Sequence, residues 1–372
     1  MRSSRVIFID LARAVAVIAM VYGHTIDAVL SPVYRTGTWF TVWQFQRGLT
    51  SCLFLLLSGF AFSIATARHW ARHIRFSPEL ARRTRRFALF IALGYSLHLP
   101  VQRLAGLWSA TAPQWQSFLR VDVLQLIGAT FLLVQALVLV TRKRRIFGPA
   151  ALLVAAAIVL ATPAVWDADW SGVFPPAVAA YLSPTAGSQF PLFPWAAYVL
   201  VGIALGEVYA RWDAASLPWF ATWALLLPGA ALVAAGIMVG EMPAGVLGPS
   251  SFNWVPPQVA LRTGSCLVAL GVMAHGSAWL VALPHAFAAV AQETLLVYFV
   301  HLCIVYGSIW SGGLAQTVGR SLTPAATAGI VIALLGSMTA LAAYWNWQKH
   351  THPARARAIS AGAWAVLLLM LT

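Results

Sequence analysis

The chain has 372 residues, of which 60% are hydrophobic and 9% are charged, and its mean hydropathy is +0.78. Soluble proteins carry about 25% charged residues, so this composition excludes a soluble globular protein. The formal net charge is +14, but the bases cluster in short segments between apolar runs, as in the cytoplasmic loops of membrane proteins. The sequence therefore predicts a chain that lies in a lipid bilayer and does not bind nucleic acid.

Apolar runs of about 20 residues are long enough to cross a bilayer as α-helices. They predict an all-α, polytopic integral membrane protein with about ten or eleven spans that form a single domain over residues 1–372. In chain order, the predicted spans lie near residues 7–29, 50–67, 86–102, 121–140, 148–165, 191–210, 219–239, 258–275, 288–309, 324–346 and 358–371.

The distribution of bases between the spans predicts the orientation of the chain. Seven arginines lie in segment 67–86, the sequence TRKRR occupies 141–145, and both segments fall on the same side of the membrane as Arg2 and Arg5. Loops on the opposite side hold few bases. Since cytoplasmic loops carry the excess of Lys and Arg, we expect a cytoplasmic N-terminus and a multi-pass protein of the cell inner membrane.

The stretch 9–30, which contains most of the first span, carries Asp10, Arg13, His24 and Asp27. Asp10 and Arg13 are three residues apart, so they share a helical face and are predicted to pair. His24 follows Arg13 by eleven residues, close to three turns, which places it on the same face about 16 Å further along the axis. Such a stripe normally faces a protein interior or an aqueous cavity, which favours a lumen. The alternative is that these groups anchor the helix at the interface.

Two further spans contain polar groups at membrane depth. Arg120, Asp122 and Gln125 open the fourth span, and Glu293 and His301 lie eight residues apart in the ninth. On one continuous helix that spacing is a little over two turns, so Glu293 and His301 are predicted to share a face, with the carboxyl group buried and unpaired. A single such group is ordinarily explained by an interhelical hydrogen bond, but their recurrence on separate helices favours a functional site.

A histidine is the most economical catalytic group among these side chains. An imidazole with a pKa near 6.5 can take a proton from an amine or hydroxyl at neutral pH. Asp27, three residues after His24, is predicted to orient it. Ser58 is a candidate nucleophile, but a neighbouring Ser58 and Gly59 are more typical of close helix packing in membranes.

Other side chains have ordinary structural explanations. His69 and His73 are four residues apart but lie among arginines that repel a cation, so no metal site is predicted. The three cysteines are scattered in apolar segments and are expected to be core residues without disulfides. Tryptophans in the predicted outer loops are expected as membrane anchors, although their faces would also suit a platform for sugar rings.

Five segments of the chain carry motifs that occur together in one family. They are an Asp-x-x-Arg helix with a later His, a Phe/Ser/Gly helix, an Arg-x-x-x-Leu-Gln segment, a Pro-x-x-Pro-Trp helix entry and a Leu-x-x-Tyr-x-x-His helix. In order, their sequences are IDLARAVAVIAMVYGHTIDAV, SCLFLLLSGFAFS, LRVDVLQLIGATFL, QFPLFPWAAYVLVGIALG and ETLLVYFVHL, over most of residues 5–310. This combination resembles the heparan-α-glucosaminide N-acetyltransferase-like family of the transmembrane acyltransferase superfamily. One departure is Ala14, where the family usually has Gly.

The resemblance implies acyl transfer across a membrane, from cytoplasmic acyl-coenzyme A to an amine or hydroxyl of a sugar or glycan on the outer side. The donor is expected to be acetyl-CoA. His24 matches the catalytic histidine, and Asp27 and His301 are the other catalytic candidates. The donor-binding candidates at motif positions are Asp10, Arg13, Arg120, Gln125 and Trp195.

Two other functions stay open at this point. A multi-pass transporter or exporter of a sugar or glycan would use the polar stripe as a proton relay and would consist of two pseudo-symmetric halves. A non-catalytic subunit of an envelope complex would lack a large polar cavity. An acyltransferase is expected instead to have one tunnel through the membrane, narrowest at His24. The sequence leaves the acceptor and the oligomeric state, including a homodimer, open.

Overall fold

The computed structural model describes residues 6–170, 172–212, 216–241 and 250–371, and the regular elements within these ranges are all helical. Arg2 and Arg5, on which the expected orientation partly depends, lie outside the described residues. A π-helical segment, Ala221–Leu226, joins two of the α-helices. The α-helices are α1 (Ile7–Val29), α2 (Gly37–Ala67), α3 (Trp70–His73), α4 (Pro78–Ser96), α5 (Ala112–Leu119), α6 (Val123–Thr141), α7 (Arg144–Asp167), α8 (Pro176–Leu182), α9 (Leu192–Tyr209), α10 (Leu217–Phe220), α11 (Leu227–Gly240), α12 (Ser250–Ser277), α13 (His285–Gln292), α14 (Thr294–Tyr306), α15 (Leu314–Thr317), α16 (Pro324–Thr351) and α17 (Pro353–Leu371).

Within the described residues, eight helices are long and apolar enough to cross a bilayer, and the bent pair α13–α14 would supply a ninth span. All eleven predicted spans coincide with helices, but two of these helices, α4 and α17, are not among the nine. α4 begins with an arginine-rich sequence and ends at Ser96, so its apolar part is shorter than the span predicted at 86–102. The all-α polytopic class is confirmed, while the cytoplasmic location of the N-terminus stays a prediction.

The chain folds into two compact units. The terminal unit comprises residues 1–50, 97–115 and 279–372, and the central unit comprises residues 51–96 and 116–278. The boundary between residues 50 and 51 falls within α2. That the whole chain acts as a single functional domain stays a prediction.

In the terminal unit, α1 packs against α13, α14 and α16. Its core-facing side chains include Val21 and Ala28, which are seven residues apart on one helical face and join a buried apolar cluster with the other three helices. Beyond α1, backbone hydrogen bonds join Leu322 N to Val29 O (2.9 Å) and Ser31 N to Leu322 O (3.0 Å). The end of α1 is therefore fixed to the segment that precedes α16.

The predicted ninth span is not one continuous helix. α13 and α14 meet at an angle of 81° around Glu293. The Glu293 carboxylate binds Lys349 Nζ (2.6 Å) and accepts a hydrogen bond from Asn346 Nδ2 (3.1 Å), both from α16. The prediction that Glu293 is unpaired is therefore wrong, because partners on another helix stabilise the carboxylate at the helix break. That Glu293 and His301 share a face stays a prediction, since Glu293 is the residue at which α14 begins.

In the central unit, the second half of α2 packs directly against the backbone of α9. A side chain at Gly59 would collide with the carbonyl group of Val199, and one at Gly202 would collide with that of Leu56. The Ser58 hydroxyl donates a hydrogen bond within its own helix (2.8 Å). The predicted close-packing role of this Ser-Gly pair is confirmed at Gly59, since small residues let membrane helices approach at the backbone.

Gly202→Ala is expected to destabilise the protein. The new methyl group would displace the backbone of α2, and overpacking of this kind typically costs about 1–3 kcal/mol. The matched control is Gly336→Ala in α16, where no other helix lies within 4 Å of the added group. Thermal unfolding of the purified protein in detergent should show a lower midpoint for Gly202→Ala only. Equal midpoints for the two variants would contradict the close contact.

Candidate active site

The terminal unit brings the imidazole rings of His24 and His301 together. His24 Nδ1 lies 3.0 Å from His301 Nε2, and the two ring planes are inclined by only 12°. His301 is fully buried, whereas His24 is partly exposed. Two catalytic candidates from separate spans thus form one hydrogen-bonded pair.

The partners of the two rings determine their tautomers when both rings are neutral. His301 Nδ1 lies 2.8 Å from Val297 O, and because a carbonyl oxygen only accepts hydrogen bonds, this nitrogen carries the proton. His301 Nε2 then has a lone pair and accepts the hydrogen bond that His24 Nδ1–H donates. By the same reasoning the lone pair of His24 is on Nε2, which makes that atom the basic nitrogen of the pair.

Two tyrosines of α14 pack edge-on against the histidine pair. The ring centroid of Tyr298 lies 5.8 Å from that of His301, and the ring centroid of Tyr306 lies 5.5 Å from that of His24. Tyr298 is buried, while Tyr306 is 41% exposed. The pair is therefore enclosed on the side of His301 and borders accessible surface on the side of His24.

Asp27 lies about one helical turn beyond His24 and has charged partners of its own. Its carboxylate forms ion pairs with Arg47 of α2 and with Arg35 Nη1 (3.8 Å). His24 Nδ1 faces His301, so the structure assigns the orienting hydrogen bond to that residue. Orientation of His24 by Asp27 stays a prediction.

At the other end of α1, Asp10 and Arg13 form the predicted ion pair, with 3.8 Å between Asp10 Oδ1 and Arg13 Nη1. Their side chains are 17% and 30% exposed, so both are within reach of a ligand. α1 is continuous from Ile7 to Val29, which places the ion pair and His24 on one helix about 16 Å apart. The prediction of pairing is confirmed, and the role of the pair in donor binding stays a prediction.

In the central unit, Asp122 and Gln125 cap the N-terminus of α6. Asp122 accepts a hydrogen bond from Val123 N (2.7 Å), and Gln125 Oε1 accepts one from Asp122 N (3.3 Å). Gln125 also donates to Arg120 O (3.4 Å) and is fully buried. The capping box and the contact with Arg120 O together account for both polar atoms of the Gln125 amide. Donor binding by Gln125 stays a prediction.

Trp195, in the first turn of α9, packs on the rings of Phe190 and Tyr198, with centroid distances of 4.7 and 5.8 Å. Trp195 and Arg120 belong to the central unit, whereas the histidine pair belongs to the terminal unit. Donor binding by these two residues stays a prediction.

The arginine-rich segment 67–86 forms α3 and the first turns of α4. Arg83 lies over the ring of Phe62, with its guanidinium carbon 3.9 Å from the centroid. Gln135 Nε2 donates to His73 O (3.0 Å), and burial, followed by the charge of Arg83, lowers the pKa of His73 to about 4. The segment is therefore strongly cationic, with a neutral His73 inside it at physiological pH. Among the described residues, no three His, Cys, Asp or Glu side chains are grouped as a metal site requires.

Three arginines around Asp27 are absent from the predicted site residues: Arg35, Arg47 and Arg320. Arg47 lies in α2, and an arginine inside an apolar helix is itself a signal of function or of pairing. The other two come from connecting segments that precede α2 and α16. Only the folded chain brings those two side chains to the end of α1.

Residues 5–232 match the family model described as heparan-alpha-glucosaminide N-acetyltransferase, catalytic. The match covers more than half of the chain and includes four of the five motif segments, among them the helix with His24. The chain belongs to this family. Membership confirms the resemblance and indicates a membrane acetyltransferase. No curated protein matches the chain.

His301 of this acetyltransferase lies beyond the residues that match the family model. Its pairing with His24 is therefore a finding of the structure alone. The fifth motif segment is therefore important because it contains His301, whose ring contacts His24 of α1.

The tautomers of the histidine pair are expected to be observable by nitrogen NMR of protein labelled at histidine. At about pH 8, where unperturbed histidines are neutral, His24 should carry its proton on Nδ1 and its lone pair on Nε2. Loss of signals in His24→Gln and in His301→Gln assigns the resonances. The exposed His285 serves as the reference for a ring in solvent. A proton on His24 Nε2 would contradict the deduced arrangement.

Proposed function

We propose that the protein transfers an acetyl group from cytoplasmic acetyl-CoA to an amine or hydroxyl of a sugar or glycan on the outer side of the inner membrane. His24 is the general base. The observation that carries the proposal is the hydrogen-bonded histidine pair in a chain of the acetyltransferase family. The pair leaves Nε2 of a partly exposed histidine as its basic atom, which is what proton removal from an acceptor requires.

In this mechanism His24 Nε2 removes a proton from the acceptor as the acceptor nitrogen or oxygen attacks the thioester carbonyl carbon. A bond forms between the attacking atom and that carbon, and the carbon–sulfur bond then breaks. The proton on Nε2 passes to the departing thiolate, so the products are the acetylated acceptor and coenzyme A. His24 returns to its neutral form. General base catalysis of this kind typically contributes about 10²–10⁴-fold to the rate.

His301 acts as a positioning residue in this mechanism. Its Nε2 accepts the hydrogen bond from His24 Nδ1–H and stabilises the imidazolium that forms when His24 takes the proton. Val297 O fixes the His301 ring in turn. Since both nitrogens of His301 have protein partners, these contacts support a positioning role for His301 rather than direct contact with the thioester.

The phosphates of the donor are proposed to bind near Arg13, at the other end of α1. Arg13 is about 16 Å from His24 along the helix, and an extended pantetheine arm spans on the order of 15–20 Å. Asp10 pairs with Arg13 (3.8 Å) and holds its side chain on one face. The arginine-rich segment 67–86 is also expected on the cytoplasmic side, the side from which an anionic donor would approach.

Transport of a sugar or glycan is the second candidate function, and the broken pair α13–α14 is the observation that favours it. Discontinuous membrane helices that bind ions or substrates at the break are typical of transporters. Here the group at the break is Glu293, which is 5% exposed and paired with Lys349, an arrangement that suits a fixed structural role. Uptake of labelled sugar into protein-containing vesicles without acetyl-CoA would favour transport over acetyl transfer.

His24→Ala is expected to reduce acetyl transfer by at least about 10²-fold, because the variant lacks the base. The assay measures transfer from labelled acetyl-CoA to a panel of sugars by the purified protein in nanodiscs, with thermal unfolding as the test of folding. His285→Ala, which changes an exposed histidine of the same unit, is the control and should keep full activity. Near-full activity of folded His24→Ala would refute the assignment of the base.

Arg13→Ala is expected to weaken acetyl-CoA binding by about tenfold, since a charge-assisted hydrogen bond to phosphate contributes about 1.5–3 kcal/mol. Calorimetric titration of the purified protein with acetyl-CoA measures the dissociation constant. Arg103→Ala, at an exposed position of the same unit, removes an equal charge and should leave binding unchanged. An unaltered dissociation constant for Arg13→Ala would move the donor site elsewhere.

A further inference from the structure

Three guanidinium groups meet around the C-terminal end of α1, about one helical turn beyond His24. Arg47 and Arg35 form ion pairs with the carboxylate of Asp27. Arg320 Nε donates a hydrogen bond to the backbone carbonyl of Asp27 (3.1 Å). This arginine cluster, Arg35, Arg47 and Arg320, therefore sets three positive charges against the one carboxylate at its centre.

Part of this charge stabilises the helix end. Arg35 Nη2 donates to Ile26 O (3.2 Å), Asp27 O (2.8 Å) and Leu30 O (2.8 Å), which include carbonyls that the last turn of a helix leaves unpaired. A helix C-terminus carries about half a negative charge, so the helix end and Asp27 together balance fewer than two arginines. Burial, and then the charge of Arg320, lower the pKa of Arg35.

The remaining positive charge is accessible and its position is fixed. The Arg47 side chain is 42% exposed, and Arg320 is exposed as well. The backbone hydrogen bonds of Leu322 with the segment after α1 hold Arg320 close to the helix end. Tyr306, which packs edge-on against His24 and is 41% exposed, borders the same region.

We propose that the arginine cluster binds an acidic group of the acceptor, so that the acceptor is an acidic sugar that carries a carboxylate or a phosphate. Guanidinium groups bind both anions through paired N–H···O contacts. One helical turn, about 5 Å, separates the cluster from His24, which is on the scale of one sugar ring. The exposed ring of Tyr306 supplies a rigid apolar face for that sugar ring.

The use of this subsite in catalysis rests on the proposed function, whereas binding to it is measurable without any transfer. The alternative is a structural clamp, in which the arginines only fasten α1 to α2 and to the segment before α16. If the arginines act only as a clamp, replacing Arg47 lowers the stability of the protein, and acidic sugars do not change the midpoint of its thermal unfolding. The two explanations therefore differ in ligand binding and not in the stability of the unliganded protein.

The test is thermal unfolding of the purified full-length protein with glucuronate, glucose 6-phosphate or glucose at matched ionic strength. At least one acidic sugar should raise the midpoint in a saturable manner, and glucose should not. Arg47→Gln should raise the apparent dissociation constant of that sugar by about tenfold or more. Arg103→Gln, the matched exposed arginine, should leave it unchanged. The acidic sugar with the lower apparent dissociation constant shows whether the site prefers a carboxylate or a phosphate.

A midpoint that neither acidic sugar shifts, or a shift that Arg47→Gln leaves unaltered, would overturn the proposal. If Arg47→Gln does not fold, Arg320→Gln at an exposed position takes its place. Binding of an acidic sugar without any acetyl transfer by the unmodified protein would sustain the subsite and refute the proposed function. Transfer to neutral sugars alone would sustain the function and overturn the subsite.

Discussion

The hydrogen bond between His24 and His301 is the interaction on which the site depends. A fully buried imidazole must find partners for both nitrogens, and His301 finds them in Val297 O and His24 Nδ1. These partners determine which nitrogen of each ring is protonated. The tautomer of His24 therefore depends on the hydrogen bonds of His301, a buried residue on another helix.

The helix that carries His301, α14, leaves α13 at an angle of 81°. An interrupted helix at membrane depth exposes backbone and side-chain polar groups, which are tolerated only where the protein satisfies them. Lys349 and Asn346 of α16 do so at Glu293, and the same helix joins α1 and α14 in the apolar core of the terminal unit. Two kinds of contact with α16 therefore position the helix that carries His301. They are the polar contacts of Glu293 at the helix break and the apolar packing of α14 beyond it.

Charge is distributed unevenly along α1. One end holds a balanced pair, Asp10 with Arg13, and the other end holds Asp27 among three arginines. Ion pairs near a membrane are screened less than those in bulk water, so an excess of positive charge persists until an anion arrives. The end of α1 that carries Asp27 is thus suited to an anionic ligand, and His24 lies about one helical turn from it.

Hydropathy, helical spacing and motif content in the sequence determined the all-α membrane class, the family and the Asp10–Arg13 pair, because these depend on residues near one another in the chain. The small Gly59 also indicated close packing, but the helix that it packs against is decided by the tertiary structure. The helix break at Glu293 was not predictable, since neither Pro nor Gly marks it and its partners lie more than 50 positions away. Only the tertiary structure decided that His24 meets His301, 277 positions distant, and that Arg320 reaches Asp27. Each of those contacts depends on the direction that the chain takes after a turn. That direction is set by the packing of side chains and by the hydrogen bonds that buried polar groups must form.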